Sequence, residues 1–124
     1  MAAALSSEII EKLESRQNLW FSSVRPDGRP HLVPVWFVWF EGKIYISTEP
    51  KSVKSQNIRA NPQVVVALED GAKPVICEGT ALPVERPWSE GLLGAFFRKY
   101  EWDLLKDEQY NDVIEVSPQR WLSW

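Results

Sequence analysis

The chain has 124 residues and a mass of 14.3 kDa, which is the size of one domain and leaves little room for two. Its net charge is −3 and its pI is near 5.2, a balance that gives no reason to expect a polyanionic partner such as duplex nucleic acid. A single cysteine and a single histidine exclude an intrachain disulfide and leave too few ligands for a structural zinc site, so no metal is predicted.

The N-terminal third is predicted to hold a short helix and three strands. Ser6 or Ser7 can cap a helix that ends near Ser15. The β-forming stretch 19–24 is followed by the sequence RPDGR, a strong hairpin signal, and then by a second apolar stretch, 31–40. A Glu-Gly turn leads into a third strand at 43–48. The spacing therefore predicts three antiparallel strands joined by two short turns.

The rest of the chain continues this mixture of short elements. We predict a helix at 51–60, strands at 63–68 and 74–82, a helix after Pro87, and a last strand at 113–116. Gly79 is expected to form a bulge or bend within its strand. Six strands with short helices predict a small β-barrel, in one domain over residues 1–124.

The strand predicted at 31–40 is apolar on both faces. Val33 and Val35 point one way, while the alternate residues, which include Pro34 and Trp36, point the other way. One face would fill a barrel, and the other needs a helix, a second subunit or a ligand. Pro34 cannot donate to a strand ladder, so it marks an edge, a bulge or a break, unless it is simply tolerated in a core strand. Seven tryptophans likewise indicate flat apolar surface that is buried against a partner or a planar ligand.

The segment after the third strand offers hydrogen-bond donors to an anion. The hydroxyls of Ser47 and Thr48 end the strand, and the next helix begins with unpaired backbone N–H groups. Lys51, Lys54 and Asn57 share one side of its first turns. This pattern is typical of a phosphate site and also of a solvated, serine-capped surface helix. Neither a P-loop nor the dinucleotide-binding glycine motif is present, which excludes a Rossmann nicotinamide site.

The two side chains with reactive heteroatoms have ordinary interpretations. His31 is interpreted as a structural residue at the start of a strand, and Cys77 as a buried, inert thiol. No side chain stands out as a general acid or base, so the catalytic residues are left unknown. The sequence shows no signal-like N-terminal stretch and no apolar run of the roughly 18 to 20 residues that a membrane span needs. We therefore expect a cytoplasmic protein without membrane contact.

Three stretches together resemble the pyridoxamine 5′-phosphate oxidase-like flavin-binding split barrels. They are RPDGRPHLVPVWF at 25–37, GKIYIST at 42–48 and SVKSQNIRANP at 52–62. The closer likeness is to the branch that includes flavin- and deazaflavin-dependent reductases, which EGTA at 78–81 and VSPQRWLSW at 116–124 also fit. The resemblance implies a mainly β chain with short helices (α+β), folded as a six-stranded antiparallel split β-barrel of the FMN-binding type.

The resemblance also implies a cofactor site at the interface of a homodimer. In that family FMN packs its ring along the strand that matches residues 33–38, and its phosphate meets hydroxyls and basic side chains. On this sequence the implied cofactor-binding residues are Pro34, Val35 and Trp36 for the ring, and Ser47, Thr48, Ser52 and Lys54 for the phosphate, with Lys51 and Asn57 as further candidates.

Departures from the family pattern bear on the substrate. Pyridoxamine phosphate oxidases have an Arg-Lys pair after the serine, where this chain has Val53 and Lys54. Their arginine and lysine in the ring-binding strand are replaced by Val33 and Val38, and a glutamine is replaced by Pro74. Their C-terminal segment for the substrate phosphate has no match. The resemblance therefore implies hydride transfer to or from a small, unidentified substrate rather than oxidation of vitamin B6 phosphates.

Three other functions remain open. The deazaflavin coenzyme could replace FMN, but its longer anionic tail needs more basic residues than Lys51, Lys54 and Arg59. A non-catalytic flavin carrier, store or sensor would need no substrate site, and no arginine cluster for a substrate is recognisable. A barrel that stacks single-stranded nucleic acid on its aromatic side chains is disfavoured by the net charge of −3.

Overall fold

The computed structural model describes residues 5–124, so the first four residues of the predicted domain lie outside it. Within this range the helices are α1 (Ser7–Ser15), α2 (Val53–Ala60) and α3 (Glu90–Tyr100), followed by a 3-10 turn at Leu104–Lys106. The strands are β1 (Asn18–Val24), β2 (Pro30–Phe40), β3 (Lys43–Thr48), β4 (Gln63–Leu68), β5 (Val75–Val84) and β6 (Asp112–Ser123). None of the helices in the described part of the chain has the length and apolar character needed to cross a membrane.

The six strands close into one antiparallel barrel in the order β1-β2-β3-β6-β5-β4. This confirms the predicted six-stranded barrel with short helices, including the β1–β2–β3 meander. Gly28 and Gly42 supply the positive φ angles that its two turns need.

The prediction for the last strand was wrong in length, because β6 continues past 116 to Ser123. Pro118 cannot donate a ladder hydrogen bond, a property that usually ends a strand. In the structure Pro118 lies opposite Gly79, at a shift of register between Glu78 and Gly79. The irregularity predicted at Gly79 is thus present, but the extra residue is Gln119 on β6 rather than a residue of β5, and this bulge accommodates the proline within the sheet.

The two faces of β2 are covered differently. Its inward residues, such as Val35 and Phe37, join the barrel core with Phe21 and other apolar side chains. On the outward side, Val38 and Phe40 pack into a second core under α3. Three further outward residues remain exposed, namely Leu32, Pro34 and Trp36.

β2 also changes its pairing partner midway. Residues 30–36 pair with β1, whereas residues 37–40 pair with β3, and within residues 5–124 no strand occupies the other edge of 30–36. Since hydrogen-bonding direction alternates along an antiparallel strand, the backbone groups of Trp36 and the carbonyl of Pro34 point into this gap. Pro34 therefore lies where its missing N–H breaks no ladder bond.

α2 packs against one end of the barrel. The side chain of Ser52 caps it by accepting from the backbone N–H of Ser55 at 3.3 Å, and Ile58 enters the barrel core. Asn57 donates from Nδ2 to the hydroxyl of Ser23 at 3.0 Å, and both residues are buried. These contacts place the first turn of α2 beside the gap in β2.

Candidate functional site

A cleft of about 670 Å³ opens beside the unpaired edge of β2. It joins this edge to the end of β3, to the first turn of α2 and to the segment that follows α3. Its lining residues are Asn18, Pro34, Val35, Trp36, Ser47, Lys54, Tyr100, Glu101, Trp102, Asp107 and Tyr110. Five of these were predicted as cofactor-binding residues: Pro34, Val35, Trp36, Ser47 and Lys54.

Aromatic rings form much of the cleft. Trp36 stacks on Tyr100 with ring centroids 4.6 Å apart and planes 7° from parallel. Trp102 meets Trp36 edge-on at 6.0 Å and Tyr110 edge-on at 6.4 Å. Such stacked and edge-to-face pairs are favourable arrangements that hold the rings in defined orientations. The cleft therefore offers flat, ordered apolar surface to a planar ligand.

The hydroxyl of Tyr100 fixes this surface to the barrel. It accepts from the backbone N–H of Phe37 at 3.0 Å, and lies 2.6 Å from the carbonyl oxygen of Phe37 and 2.7 Å from that of Gln17. Burial raises the pKa of Tyr100 to about 12, so the hydroxyl keeps its proton and donates it to one of the two carbonyls. Tyr100 thus closes the β1–β2 ladder at the point where β1 begins.

Asp107 orders the aromatic segment from the other side. One carboxylate oxygen accepts from the backbone N–H groups of Gln109 and Tyr110 at 2.8 and 2.7 Å, and the other accepts from Trp102 Nε1 at 3.0 Å. These donors, led by the backbone N–H of Tyr110, lower the pKa of Asp107. The residue therefore positions Trp102 and Tyr110 as an ionised carboxylate.

Lys54 supplies the positive charge among the cleft residues. It is half-buried, and burial lowers its pKa, while the charge of Glu49 acts in the opposite direction. Nearby, the hydroxyl of Ser47 donates to the carbonyl oxygen of Tyr110 at 2.7 Å. Burial disfavours the charged form of Lys54, and an anion bound beside the ammonium group would favour that form again.

The other four predicted residues do not line the cleft. Thr48 and Ser52 belong to a chain of hydroxyls in which Ser52 Oγ lies 3.1 Å from Thr48 Oγ1 and donates to Ser55 Oγ at 3.0 Å. Lys51 is exposed at the entry to α2. Asn57 is buried and engaged with Ser23, so its amide holds the helix to β1.

Sequence reasoning missed most of the segment after α3. Leu92, Phe96 and Tyr100 recur at helical spacing, which is typical of a core or interface face, and all three pack in the core under α3. Tyr100, at the end of the helix, also reaches the cleft. The dense aromatic and acidic residues of 100–110 were a compositional signal, but no spacing rule connects them to β2.

Comparison with known proteins places this arrangement in a family. The family described as pyridoxamine 5′-phosphate oxidase matches residues 5–124. Among curated proteins no match is found.

Solved structures share the fold over nearly the whole chain. A conserved hypothetical protein from Mycobacterium tuberculosis is 29% identical, with a TM-score of 0.80 over 98% of this chain and 85% of that chain. An F420 reductase is 25% identical, with a TM-score of 0.71 over 90% of this chain and 94% of that chain. The haem storage protein HutZ from Vibrio cholerae is 20% identical, with a TM-score of 0.78 over 98% and 95% of the two chains, and this likeness shows the fold alone.

Proposed function

The chain belongs to the pyridoxamine 5′-phosphate oxidase family, and from this premise we propose that it is an FMN-binding oxidoreductase acting on a small, unidentified substrate. The observation that carries the proposal is the cleft that joins Trp36 on the edge of β2 to Lys54 of α2. FMN combines a flat ring system with a phosphate, and the cleft combines flat aromatic surface with a cation. When bound, the flavin would supply hydride transfer to or from the substrate.

The residues of the cleft fit the two parts of this cofactor. Pro34, Val35 and Trp36 would hold the ring, because their backbone edge is unpaired and its polar groups can meet those of a heterocycle. Lys54 and Ser47 would meet the phosphate, with the capped start of α2 beside them. The protein contributes orientation and exclusion of water, and no side chain is assigned as a general acid.

We further propose a homodimer with the cofactor at its interface. The outward faces of β1, β2 and β4 carry a contiguous apolar surface, whose members are Trp20, Leu32, Pro34, Trp36 and Val65. Leu32 is 59% exposed and Trp36 is 48% exposed. Contiguous apolar patches of this kind mark interaction sites. Because Pro34 and Trp36 belong to both the patch and the cleft, a second subunit on the patch would also cover the ring site.

Oxidation of pyridoxamine 5′-phosphate is not proposed. Val33 and Val38 stand where the resemblance places an arginine and a lysine of those oxidases. Val33 packs against the barrel core and Val38 is buried in the core under α3. Neither position can offer a charge to a substrate, so the family's name does not carry over as a substrate assignment.

The deazaflavin coenzyme is the second candidate cofactor, and the likeness to an F420 reductase supports it. Two carboxylates, Glu101 and Asp107, line the cleft together with Lys54, so its charged residues sum to one net negative charge. Lys54 is therefore the one cation of the lining and can pair with a single phosphate, whereas the further anionic groups of a longer tail would meet no cation there, which favours FMN.

Titration of the apo-protein with FMN, riboflavin and the deazaflavin coenzyme tests the proposal. We expect tight FMN binding with quenched tryptophan fluorescence and weaker riboflavin binding. Trp36→Phe should remove much of the quenching, whereas Trp124→Phe, at an exposed position outside the cleft, should not. If the protein prefers the deazaflavin coenzyme, that coenzyme rather than FMN is its cofactor. If it binds none of the three ligands, the proposed flavin-dependent function is refuted. If the bound FMN passes electrons to no acceptor, the protein is a non-catalytic flavin carrier or sensor rather than an enzyme.

A further inference from the structure

His31 has no role in the function proposed above, but its surroundings are unusual. It lies near the start of β2 on the inward side, directly opposite Ser23 of β1. Its Nδ1 atom is shielded from solvent and has no hydrogen-bond partner among residues 5–124. Buried polar atoms nearly always have a partner, so the unpaired imidazole nitrogen is available to a group outside this chain.

The packing of α2 brings Lys54 to the same end of the barrel as His31. Asn57 donates to Ser23, the cross-strand neighbour of His31. Lys54 precedes Asn57 by three positions and therefore shares its side of the helix. Lys54 also lines the cleft, and its charge acts on His31, so it links the imidazole to the cleft.

A third basic group completes this cluster. Arg25 donates from Nη1 to the carbonyl oxygen of Pro30 at 2.9 Å, which places the guanidinium beside His31. In the part of the chain that the structure describes, the ion pairs within 4.0 Å involve none of Arg25, His31 and Lys54. The cluster therefore carries positive charge that no carboxylate neutralises by direct contact.

The charges around the imidazole explain its protonation state. Burial, followed by the charges of Arg25 and Lys54, lowers the pKa of His31. The carboxylate of Glu49 acts on Lys54 and partly offsets the burial of its ammonium group. Burial and the two cations thus favour the neutral imidazole, and an anion placed among the three groups would offset the effect of the cations.

We propose that His31 is part of the phosphate subsite of the cleft, and that it takes up a proton from solvent when a phosphate dianion binds at Lys54. This inference rests on the proposed function and names a residue that distinguishes a phosphorylated flavin from riboflavin. It changes the interpretation of His31 from a structural residue at a strand start to a ligand-binding one.

NMR of the imidazole tests the proposal directly, because His31 is the only histidine in the chain and its ring signals need no assignment. The full chain is titrated with pH in phosphate-free buffer, alone, with saturating riboflavin and with saturating FMN. We expect a pKa below 6.5 for the free protein and the riboflavin complex. With FMN the pKa should rise by about 1 to 3 units, the effect of a neighbouring opposite charge.

His31→Gln is the matched variant, since it keeps a polar side chain and removes the titrating group. We expect its FMN affinity to fall about tenfold near pH 6 and its riboflavin affinity to stay unchanged. Lys73→Met removes an exposed cation outside the cleft and controls for net charge. An equal His31 pKa with FMN and riboflavin overturns the inference and leaves FMN binding intact. Failure of FMN to bind overturns both this inference and the proposed function. Both results come from the unaltered chain, so they do not depend on the folding of a variant.

Discussion

The indole of Trp36 stacks on the phenol ring of Tyr100, with centroids 4.6 Å apart and planes 7° from parallel. Tyr100 is itself fixed, because its hydroxyl accepts from the backbone N–H of Phe37 at 3.0 Å. The aromatic face that we propose for the flavin ring is therefore held in place by the last residue of α3. Ring binding and the attachment of α3 to the barrel should respond together to changes at Tyr100.

Tyr100→Phe keeps the stacked ring and removes the hydroxyl. The N–H of Phe37 then loses its acceptor, and the carbonyls of Phe37 and Gln17 lose their shared donor. We expect the free energy of unfolding in urea to fall by about 1 to 3 kcal/mol. FMN should also bind less tightly, because Trp36 is held less firmly. Tyr110→Phe is the control for the free energy of unfolding only, because Tyr110 lines the cleft but its side chain is 42% exposed; equal losses of stability in the two variants would contradict the role of the Tyr100 hydroxyl.

Lys54→Met separates the phosphate from the ring. Methionine keeps an apolar stem of similar length and removes the ammonium group that faces the cleft. Loss of a charged hydrogen bond is worth about 1.5 to 3 kcal/mol, so FMN affinity should fall roughly tenfold to a hundredfold. Riboflavin has no phosphate and should bind as before. Fluorescence titrations measure both constants, with Lys73→Met as the charge control, and an equal loss for both ligands would show that Lys54 does not meet phosphate.

Leu32→Lys tests the proposed dimer interface. Leu32 is 59% exposed on the apolar surface of β1, β2 and β4, and a lysine there would be buried without a partner if a second subunit covers it. We expect a monomer in sedimentation velocity and weakened binding of the flavin ring. Leu82→Lys is the matched control, because Leu82 is 57% exposed on β5, outside this surface. Sedimentation of the unaltered chain as a monomer at all concentrations would refute the dimer.

The elements that sequence predicted well are those set by local chemistry. The β1–β2–β3 meander follows from alternating apolar runs and from turns that contain Gly28 and Gly42, each of which adopts positive φ. The length of β6 could not be predicted in the same way. Pro118 normally ends a strand, and its tolerance depends on Gly79 in a neighbouring strand far earlier in the chain.

The candidate site likewise combines residues that local sequence indicates with residues that only tertiary packing brings to it. Trp36 and Lys54 were implied by the resemblance, and a proline-broken strand and a lysine in the first turn of a helix, both visible in short windows of sequence, agreed with it. Tyr100 and Trp102 were missed as cleft residues, since helical spacing predicts the apolar face of α3 but not the element that its last residue contacts. Only the packing of α3 against β2 brings these rings to Trp36.

Lys99 should make stability depend on pH in the alkaline range. Its Nζ lies 3.8 Å from the ring centroid of Phe37 and 3.3 Å from the carbonyl oxygen of Leu13, and burial lowers its pKa from 10.5 to about 8. Between these values the unfolded chain binds a proton that the folded chain does not. The free energy of unfolding contributed by Lys99 therefore rises with pH, by at most about 1.4 kcal/mol per pH unit.

Comparison with Lys99→Met isolates this contribution. The pKa of Cys77 is raised from 9.0 to about 12, and those of Tyr45 and Tyr100 from 10.0 to about 12, so these groups lower stability as pH rises above their unfolded values. All three groups are retained in the variant, so their contributions cancel in the difference between the unfolding free energies of the unaltered chain and of Lys99→Met. Urea unfolding from about pH 7 to 10 should show the unaltered chain gaining stability relative to Lys99→Met as the pH increases. A stability difference between the two proteins that does not change with pH would mean that Lys99 keeps its ordinary pKa in the folded protein.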